Sequence, residues 1–171
     1  MKLGPPVRIA SYRVFSVCES TVEGRSSVFT LEHPDWCNVV ALTDAGEIVL
    51  VRQLRFGTRA MSLELPGGML EPGEDPAAGA RRELREETGY EPASIDPLIV
   101  THPNPSLQGN RIHSFVARGA RVLHATQFDE HEECETVLVP AERIERMLDE
   151  GEMTHALDHA ALSAFLRRER R

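Results

Sequence analysis

The chain has 171 residues, of which 41% are hydrophobic and 27% charged, as in ordinary globular domains. Its 27 acidic and 19 basic side chains give a net charge of −8, which disfavours binding to long nucleic acid. No apolar run approaches the roughly 20 residues of a membrane span, so we expect neither a membrane-spanning nor an exported protein. The three cysteines, Cys18, Cys37 and Cys134, follow no disulfide or metal pattern, which favours reduced thiols in the cytoplasm.

Residues 1–35 are predicted to form an N-terminal β-hairpin extension. Segments 7–17 and 26–32 are rich in β-branched and aromatic side chains, and turn-like residues separate them. The segment 33–35 then breaks the pattern with a proline, so we place the main domain at 36–171.

The main domain is predicted to open with two buried strands, 36–42 and 47–54, followed by a strand at 61–66. Arg52 and Arg55 lie at the end of the second strand. They either form a solvated strand end or grip a substrate phosphate or ribose with their planar guanidinium groups.

A helix is predicted between Asp75, a good N-cap, and Gly89, a residue type that commonly ends helices. At about 100° per residue, Glu83, Glu86 and Glu87 share one arc of this helix. The three arginines of the helix are expected to point mostly elsewhere. Because like charges one turn apart repel, either this face is simply solvated or its carboxylates bind a hard cation such as Mg²⁺ or Mn²⁺.

The second half of the chain is predicted to contain a strand after Pro97, strands at 111–118 and 120–127, and a strand entered at Thr136. The acidic segment 129–135 is interpreted as a loop that is either solvated or closes over the metal site.

Two helices are expected to end the chain, with apolar stripes within 144–148 and 157–165. His155 and His159 lie one turn apart, and we interpret them as surface histidines rather than a zinc pair, because no third ligand accompanies them.

The segment 67–90 reads GGMLEPGEDPAAGARRELREETGY and resembles the Nudix box, with Tyr90 where an aliphatic residue is commoner. The resemblance implies an α/β fold in which a mixed β-sheet is sandwiched between helices (α/β/α). It also implies a loop–helix–loop that binds divalent cations. In this chain the residues that match the motif have these implied roles: metal ligands Glu83, Glu86, Glu87 and the Gly67 carbonyl; Arg82 holding a glutamate; and Glu74 bracing the loop.

The run VRQLRFGTRAMSLELP before the box resembles the ADP-ribose pyrophosphatase and nucleotide-sugar hydrolase branch of the Nudix family. By that resemblance Arg55 and Glu64 are substrate-binding positions, and Pro105 resembles a mark of the ADP-ribose subgroup, although its neighbours differ. In this branch a glutamate on a late loop polarises the attacking water. Counting back from the following strand places that role on Glu132, with Glu130 and Glu133 as alternatives.

The predicted activity is therefore Mg²⁺-dependent hydrolysis of a nucleoside diphosphate sugar, with ADP-ribose favoured and with Glu132, Glu86 and Arg82 as catalytic residues. The alternatives are hydrolysis of a dinucleotide or a nucleoside triphosphate, RNA decapping, which the acidic composition disfavours, and a nucleotide-sugar sensor without turnover. Relatives in the branch are often homodimers with exchanged N-terminal strands, and residues 1–35 are compatible with that assembly.

Overall fold

The computed structural model describes residues 2–23, 27–127 and 134–171. A small N-terminal sheet consists of β1 (Val7–Ser11), β2 (Ser16–Ser20) and β3 (Val28–Glu32). A larger sheet contains β4 (Trp36–Thr43), β5 (Glu47–Arg55), β6 (Ala60–Glu64), β7 (Gly67–Met69), β8 (Tyr90–Glu91), β9 (Ser94–Thr101), β10 (Ile112–Val122) and β11 (Cys134–Pro140). The helices are α1 (Pro76–Thr88), α2 (Ile144–Asp149) and α3 (Ala156–Glu169), with a 3-10 turn at Ala141–Arg143.

The larger sheet is mixed, as predicted. Its central order is β11-β5-β4-β10-β8, while β6 pairs with β5, β7 with β4 and β9 with β10. The strands β4 and β10 run parallel, and the other described pairs in this sheet are antiparallel.

The two faces of the sheet bury separate hydrophobic clusters. Successive residues of β4 alternate between them, because side chains along a strand point to opposite faces. Val39 and Ala41 join the cluster under α1, whereas Val40 joins the cluster that contains residues of α2 and α3. Helices therefore cover both faces, and the predicted α/β/α sandwich is confirmed.

Both ends of α1 form as predicted. Asp75 Oδ1 accepts hydrogen bonds from the backbone N–H groups of Ala77 and Ala78, each at 3.0 Å. Gly89 adopts the left-handed conformation with φ of 74°, and its N–H donates to the Arg85 carbonyl. None of the helices in the described residues is both long and apolar enough to cross a membrane.

The N-terminal extension differs from the predicted hairpin. Segment 7–17 is not one strand: a turn in which Tyr12 N donates to Phe15 O at 2.8 Å divides it into β1 and β2. The turn contains neither glycine nor proline, and its β-branched and aromatic residues are typical of strands. The sequence pattern therefore predicted a continuous strand. The extension is a three-stranded sheet.

Two further predictions were wrong at strand boundaries. The segments 111–118 and 120–127 are not separate strands. A single strand, β10, continues to Val122 through a register shift at Gly119, where φ is 63°. Pro97 lies inside β9 rather than before it. Among the described strands β9 pairs with β10, so it is an edge strand, where a proline without an N–H is tolerated. Pro97 also lies opposite the register shift between Ser114 and Phe115.

Candidate active site

Arg82 is the electrostatic centre of the helix α1 surface. Its Nε and Nη2 donate to the two carboxylate oxygens of Glu74 at 2.9 and 3.0 Å. Its Nη1 donates to Glu83 Oε1 at 2.8 Å and to Glu86 Oε2 at 3.1 Å. The expectation that the helix arginines point elsewhere is therefore wrong for Arg82, whose long side chain reaches three carboxylates.

Glu74 braces the loop that leads into α1. Its Oε2 accepts the backbone N–H of Glu71 at 2.9 Å in addition to the Arg82 fork. The hydrogen bonds from Arg82 lower the pKa of Glu74 below its ordinary value. This carboxylate therefore stays ionised and keeps Arg82 oriented.

Gly68 leaves room for the carboxylate of Glu83. A Cβ at this position would lie 2.6 Å from Glu83 Oε1 and 2.7 Å from its Cδ. The glycine is therefore needed for close approach of the β7 backbone to the helix carboxylates.

Glu87 faces the sheet more closely than the other helix glutamates and is only 3% exposed. Its Oε2 accepts the N–H of Gly67 at 3.0 Å. The structure thus brings Glu83, Glu86, Glu87 and Gly67 together along the junction of β7 and α1.

Two cavities meet at this junction. The acidic cavity, of about 520 Å³, is lined by Arg82, Glu83 and Glu86 among others. The larger cavity, of about 590 Å³, is lined by Glu87, Arg55 and Glu64 among others. Gly68 and Met69 line both, so the two cavities adjoin the same segment of β7.

Arg55 and Glu64 form a forked ion pair in the wall of the larger cavity. Arg55 Nε lies 3.0 and 3.1 Å from the two oxygens of Glu64, and Nη2 lies 2.5 Å from Oε2. Burial, the largest single influence, opposes ionisation of Glu64. The hydrogen bonds from Arg55 and Ser62, together with the charges of Arg55 and His155, outweigh it and lower the pKa of Glu64. The Arg55 side chain remains 44% exposed, so part of it faces solvent.

The helix α3 adds a second pair to the same wall. His155 Nδ1 lies 3.1 Å from Asp158 Oδ2 and 3.8 Å from Glu64 Oε2. Asp158 is buried and accepts hydrogen bonds from Leu65 N at 3.1 Å and Asn38 Nδ2 at 3.0 Å. His159 does not join this group, because its Nε2 contacts the Met153 carbonyl instead.

The three acceptor groups of Glu64, His155 and Asp158 lie within 4.8 Å of one another, a spacing that a metal ion can use. Arg55 occupies both carboxylate oxygens of Glu64, however, so a divalent cation would have to displace it. Arg82 Nη1, by contrast, contacts one oxygen of Glu83 and one of Glu86. The arrangement is therefore better described as a four-residue ionic network than as a metal centre.

The remaining predicted residues lie elsewhere. Arg52 is exposed and pairs with Glu135 at 3.0 Å, and in the described part of the chain it lines neither cavity. Pro105 is exposed on a loop whose Leu107 carbonyl accepts the N–H of Leu31, and it too is absent from the described lining of both cavities. Glu132 and its alternatives Glu130 and Glu133 lie outside the described residues.

Sequence reasoning missed Asp158, Asn38 and the role of His155. The predicted apolar stripe of α3 included Leu157 and Ala160, yet the buried residues are Asp158, Ala161, Leu162 and Phe165. A detectable signal was an aspartate at the i position of an i, i+3, i+4, i+7 stripe, since a charge on a buried face requires a partner.

Comparison with known proteins agrees with this geometry. The NUDIX domain profile matches residues 33–159. The chain is 33% identical over 127 residues to the ADP-ribose pyrophosphatase of Bacillus subtilis (strain 168), covering 74% of this chain and 69% of that protein. It is 40% identical over 103 residues to the methanol dehydrogenase activator of Bacillus methanolicus, covering 60% of this chain and 56% of that protein.

The fold also matches a solved structure. A crystal structure of an ADP compounds hydrolase superposes with a TM-score of 0.81 at 22% identity, covering 97% of this chain and 92% of the other. The chain belongs to the Nudix family of pyrophosphohydrolases, in the branch that contains the ADP-ribose pyrophosphatases.

Proposed function

We propose that this protein hydrolyses ADP-ribose in a Mg²⁺-dependent reaction that yields AMP and ribose 5-phosphate. The observation that carries the proposal is the junction at Gly68 and Met69, where a cavity with a forked arginine meets a cavity lined by helix carboxylates. A diphosphate needs both features, since its charge must be neutralised and its phosphorus made accessible to water. The name of the Bacillus subtilis relative supports ADP-ribose as the substrate.

The helix carboxylates suit a hard divalent cation. Glu83, Glu86 and Glu87 offer oxygen atoms only, which Mg²⁺ prefers and Mn²⁺ also accepts. The space that a Cβ of Gly68 would fill keeps the Glu83 carboxylate close to the β7 backbone, where the Gly67 carbonyl is a further candidate ligand. When bound, the metal would lower the pKa of a coordinated water and neutralise the diphosphate.

The chain's own residues would supply orientation and charge. Arg82 holds Glu83 and Glu86 at fixed positions, so they are ready for the cation before substrate arrives. Arg55, exposed on its outer side, is suited to a phosphate oxygen of the substrate.

Glu132 is proposed as the base that accepts a proton from the attacking water. The water oxygen then bonds to one phosphorus while the bond from that phosphorus to the bridging oxygen breaks. The second phosphate leaves with the bridging oxygen.

The larger cavity also offers apolar surface for the rest of the nucleotide sugar. Trp36, Met61, Ile112 and Leu157 contribute to its lining. An aromatic ring beside methionine and aliphatic groups is suited to stack on a nucleobase, so we place the adenine there.

Hydrolysis of a substrate panel tests the proposal. ADP-ribose, another nucleoside diphosphate sugar, a dinucleoside polyphosphate and a nucleoside triphosphate are incubated with the protein, with Mg²⁺ or with chelator, and products are separated by chromatography. We expect AMP and ribose 5-phosphate from ADP-ribose with Mg²⁺ alone.

Glu86→Gln provides the matched variant, because it removes charge at nearly constant shape. Turnover should fall by orders of magnitude, as expected for loss of a metal ligand. The variant should still show a cooperative unfolding transition. The exposed Glu142→Gln, on the 3-10 turn, is the control. Tight binding of ADP-ribose without hydrolysis under any of these conditions would instead favour a sensor.

We also propose a cytoplasmic homodimer. Cys18 and Cys37 are buried without a disulfide partner, in keeping with a reducing compartment. The N-terminal sheet exposes Ile9, Tyr12 and Phe29, which are 51%, 62% and 54% exposed, and a second copy would cover them.

A further inference from the structure

The wall of the larger cavity presents two half-exposed basic side chains, each beside a buried acid. Arg55 is 44% exposed and rests on Glu64, whereas His155 is 37% exposed and rests on Asp158. Both acids are only 2% exposed. The two carboxylates are therefore buried, and the guanidinium and imidazole groups form the surface that a ligand would contact.

The two side chains converge on one oxygen atom. Glu64 Oε2 lies 2.5 Å from Arg55 Nη2 and 3.8 Å from His155 Nδ1. Placing the carboxylate between them offsets their mutual repulsion, so both can carry charge at the same time. A second anionic group in the cavity can then reach both from the open side.

His155 lies beside a buried, hydrogen-bonded carboxylate at the start of α3. It is the residue before α3, and Asp158 lies in the first turn of that helix. Asp158 is itself fixed by Leu65 N beside β6 and by Asn38 Nδ2 on β4. The imidazole therefore lies at ion-pair distance from a carboxylate that is fixed to the sheet core.

Both side chains keep donor atoms for a ligand. Arg55 uses Nε and Nη2 on Glu64, and within the described residues neither its Nη1 nor His155 Nε2 makes a hydrogen bond. The alternative occupant, a metal ion on Glu64, His155 and Asp158, would stand against the Arg55 charge. An anion fits this wall better than a cation.

We propose that His155 is a second substrate-contacting cation, which grips the diphosphate of the substrate together with Arg55. The inference rests on the proposed function for the identity of the substrate, and it adds a specific contact from α3. Asp158 acts as the positioning residue that orients the imidazole.

The titration of His155 supports this role. Its contact with Asp158 raises the pKa of His155, burial opposes that effect, and nearby Glu64 adds to it while Arg55 counteracts it. Glu87 is a further charged group in the same cavity. Below this raised pKa the imidazole is protonated and can bind the diphosphate as a cation. The contact is lost as the pH rises through the pKa.

The experiment compares the wild-type protein with His155→Gln over a range from about pH 6 to about pH 9. The diphosphate of ADP-ribose keeps a constant charge over this range, so its own titration does not intervene. His124→Gln is the control, because His124 is 45% exposed, lies near Glu91 and is absent from the described lining of both cavities.

We expect KM for ADP-ribose to be on the order of tenfold higher in His155→Gln at the acid end, with kcat changed by less than about twofold. The wild-type KM should rise toward that of the variant as the pH increases, while the control follows the wild type. A KM equal to that of the wild type throughout the range would overturn the inference. If the variant fails to fold, a pH-independent wild-type KM overturns it as well.

A binding measurement separates this inference from the proposed function. Calorimetric titration with α,β-methylene-ADP, a nucleoside diphosphate that cannot be cleaved at its bridge, reports the contact without hydrolysis. We expect about tenfold weaker binding to His155→Gln even if ADP-ribose proves not to be the substrate. Equal affinity for both proteins, with ADP-ribose hydrolysed normally, would contradict the His155 contact and leave the proposed function standing.

Discussion

Arg82 sets the geometry of the candidate site at the scale of single residues. One guanidinium group contacts Glu74, Glu83 and Glu86, and its side chain is only 21% exposed. These contacts raise the pKa of Arg82, with the hydrogen bonds to Glu74 as the largest cause and burial opposing them. Without this charge the two helix carboxylates would repel each other and move apart.

Arg82→Ala is therefore expected to reduce kcat on the order of 100-fold, because misplacement of catalytic groups by about 1 Å costs that much. The apparent affinity for Mg²⁺ should fall as well, and steady-state kinetics against Mg²⁺ concentration measures both. Arg85→Ala is the matched control from the same helix, since Arg85 is 44% exposed and only approaches Glu86 at 3.9 Å. Equal kinetics for the two variants would rule out a special role for Arg82.

The carboxylate arc of α1 was predictable from the sequence, whereas the ionic network in the larger cavity was not. Helical spacing alone places Glu83, Glu86 and Glu87 on one side. In the ionic network, His155 and Asp158 contact residues that are distant in the sequence. Leu65 and Asp158, for example, are 93 positions apart. No local pattern encodes such a pairing, because it depends on how α3 packs across the sheet.

At the scale of elements, local sequence signals predicted both ends of α1. Asp75 and Gly89 mark its ends because each satisfies backbone groups that the helix leaves unpaired. Strand boundaries were harder to predict, as β10 shows. In the sequence, Gly119 suggests the end of a strand. In the structure it forms a bulge, and pairing with β4 resumes at Ala120 after Arg118.

The short strand β7 should be the element most sensitive to added bulk. Gly68→Ala is expected to displace the Glu83 carboxylate and lower kcat on the order of 100-fold, while the protein still folds. Gly109→Ala is the control, because a Cβ at Gly109 meets nothing within 4 Å. Enzyme assays and thermal unfolding of both variants check the prediction, which fails if Gly68→Ala retains wild-type turnover.

At the scale of the whole molecule, the N-terminal strands form a sheet of their own, and Arg13 and Val14 in the turn between β1 and β2 line the acidic cavity beside α1. In the described residues, its recorded backbone link to the main domain is the N–H of Leu31, which donates to the Leu107 carbonyl. Ile9, Tyr12 and Phe29, in or beside its strands, are each more than half exposed. The structure corrects the predicted two-stranded hairpin to a three-stranded sheet. The dimer proposed for this sheet stays a prediction.

Phe29→Glu is expected to shift the protein from dimer to monomer in sedimentation experiments, because a charge would be buried at the interface. Leu123→Glu is the matched control, since Leu123 is 65% exposed outside the N-terminal sheet. A wild-type protein that remains monomeric at all concentrations would contradict the proposed assembly.

The central claim is that the carboxylates of α1 hold a divalent cation against the substrate diphosphate. Anomalous diffraction from crystals grown with Mn²⁺ and α,β-methylene-ADP tests it most directly. We predict a metal peak at coordination distance from oxygens of Glu83, Glu86 or Glu87, with the diphosphate beside it. A peak at Glu64, His155 and Asp158, with the α1 carboxylates free of metal, would contradict the account.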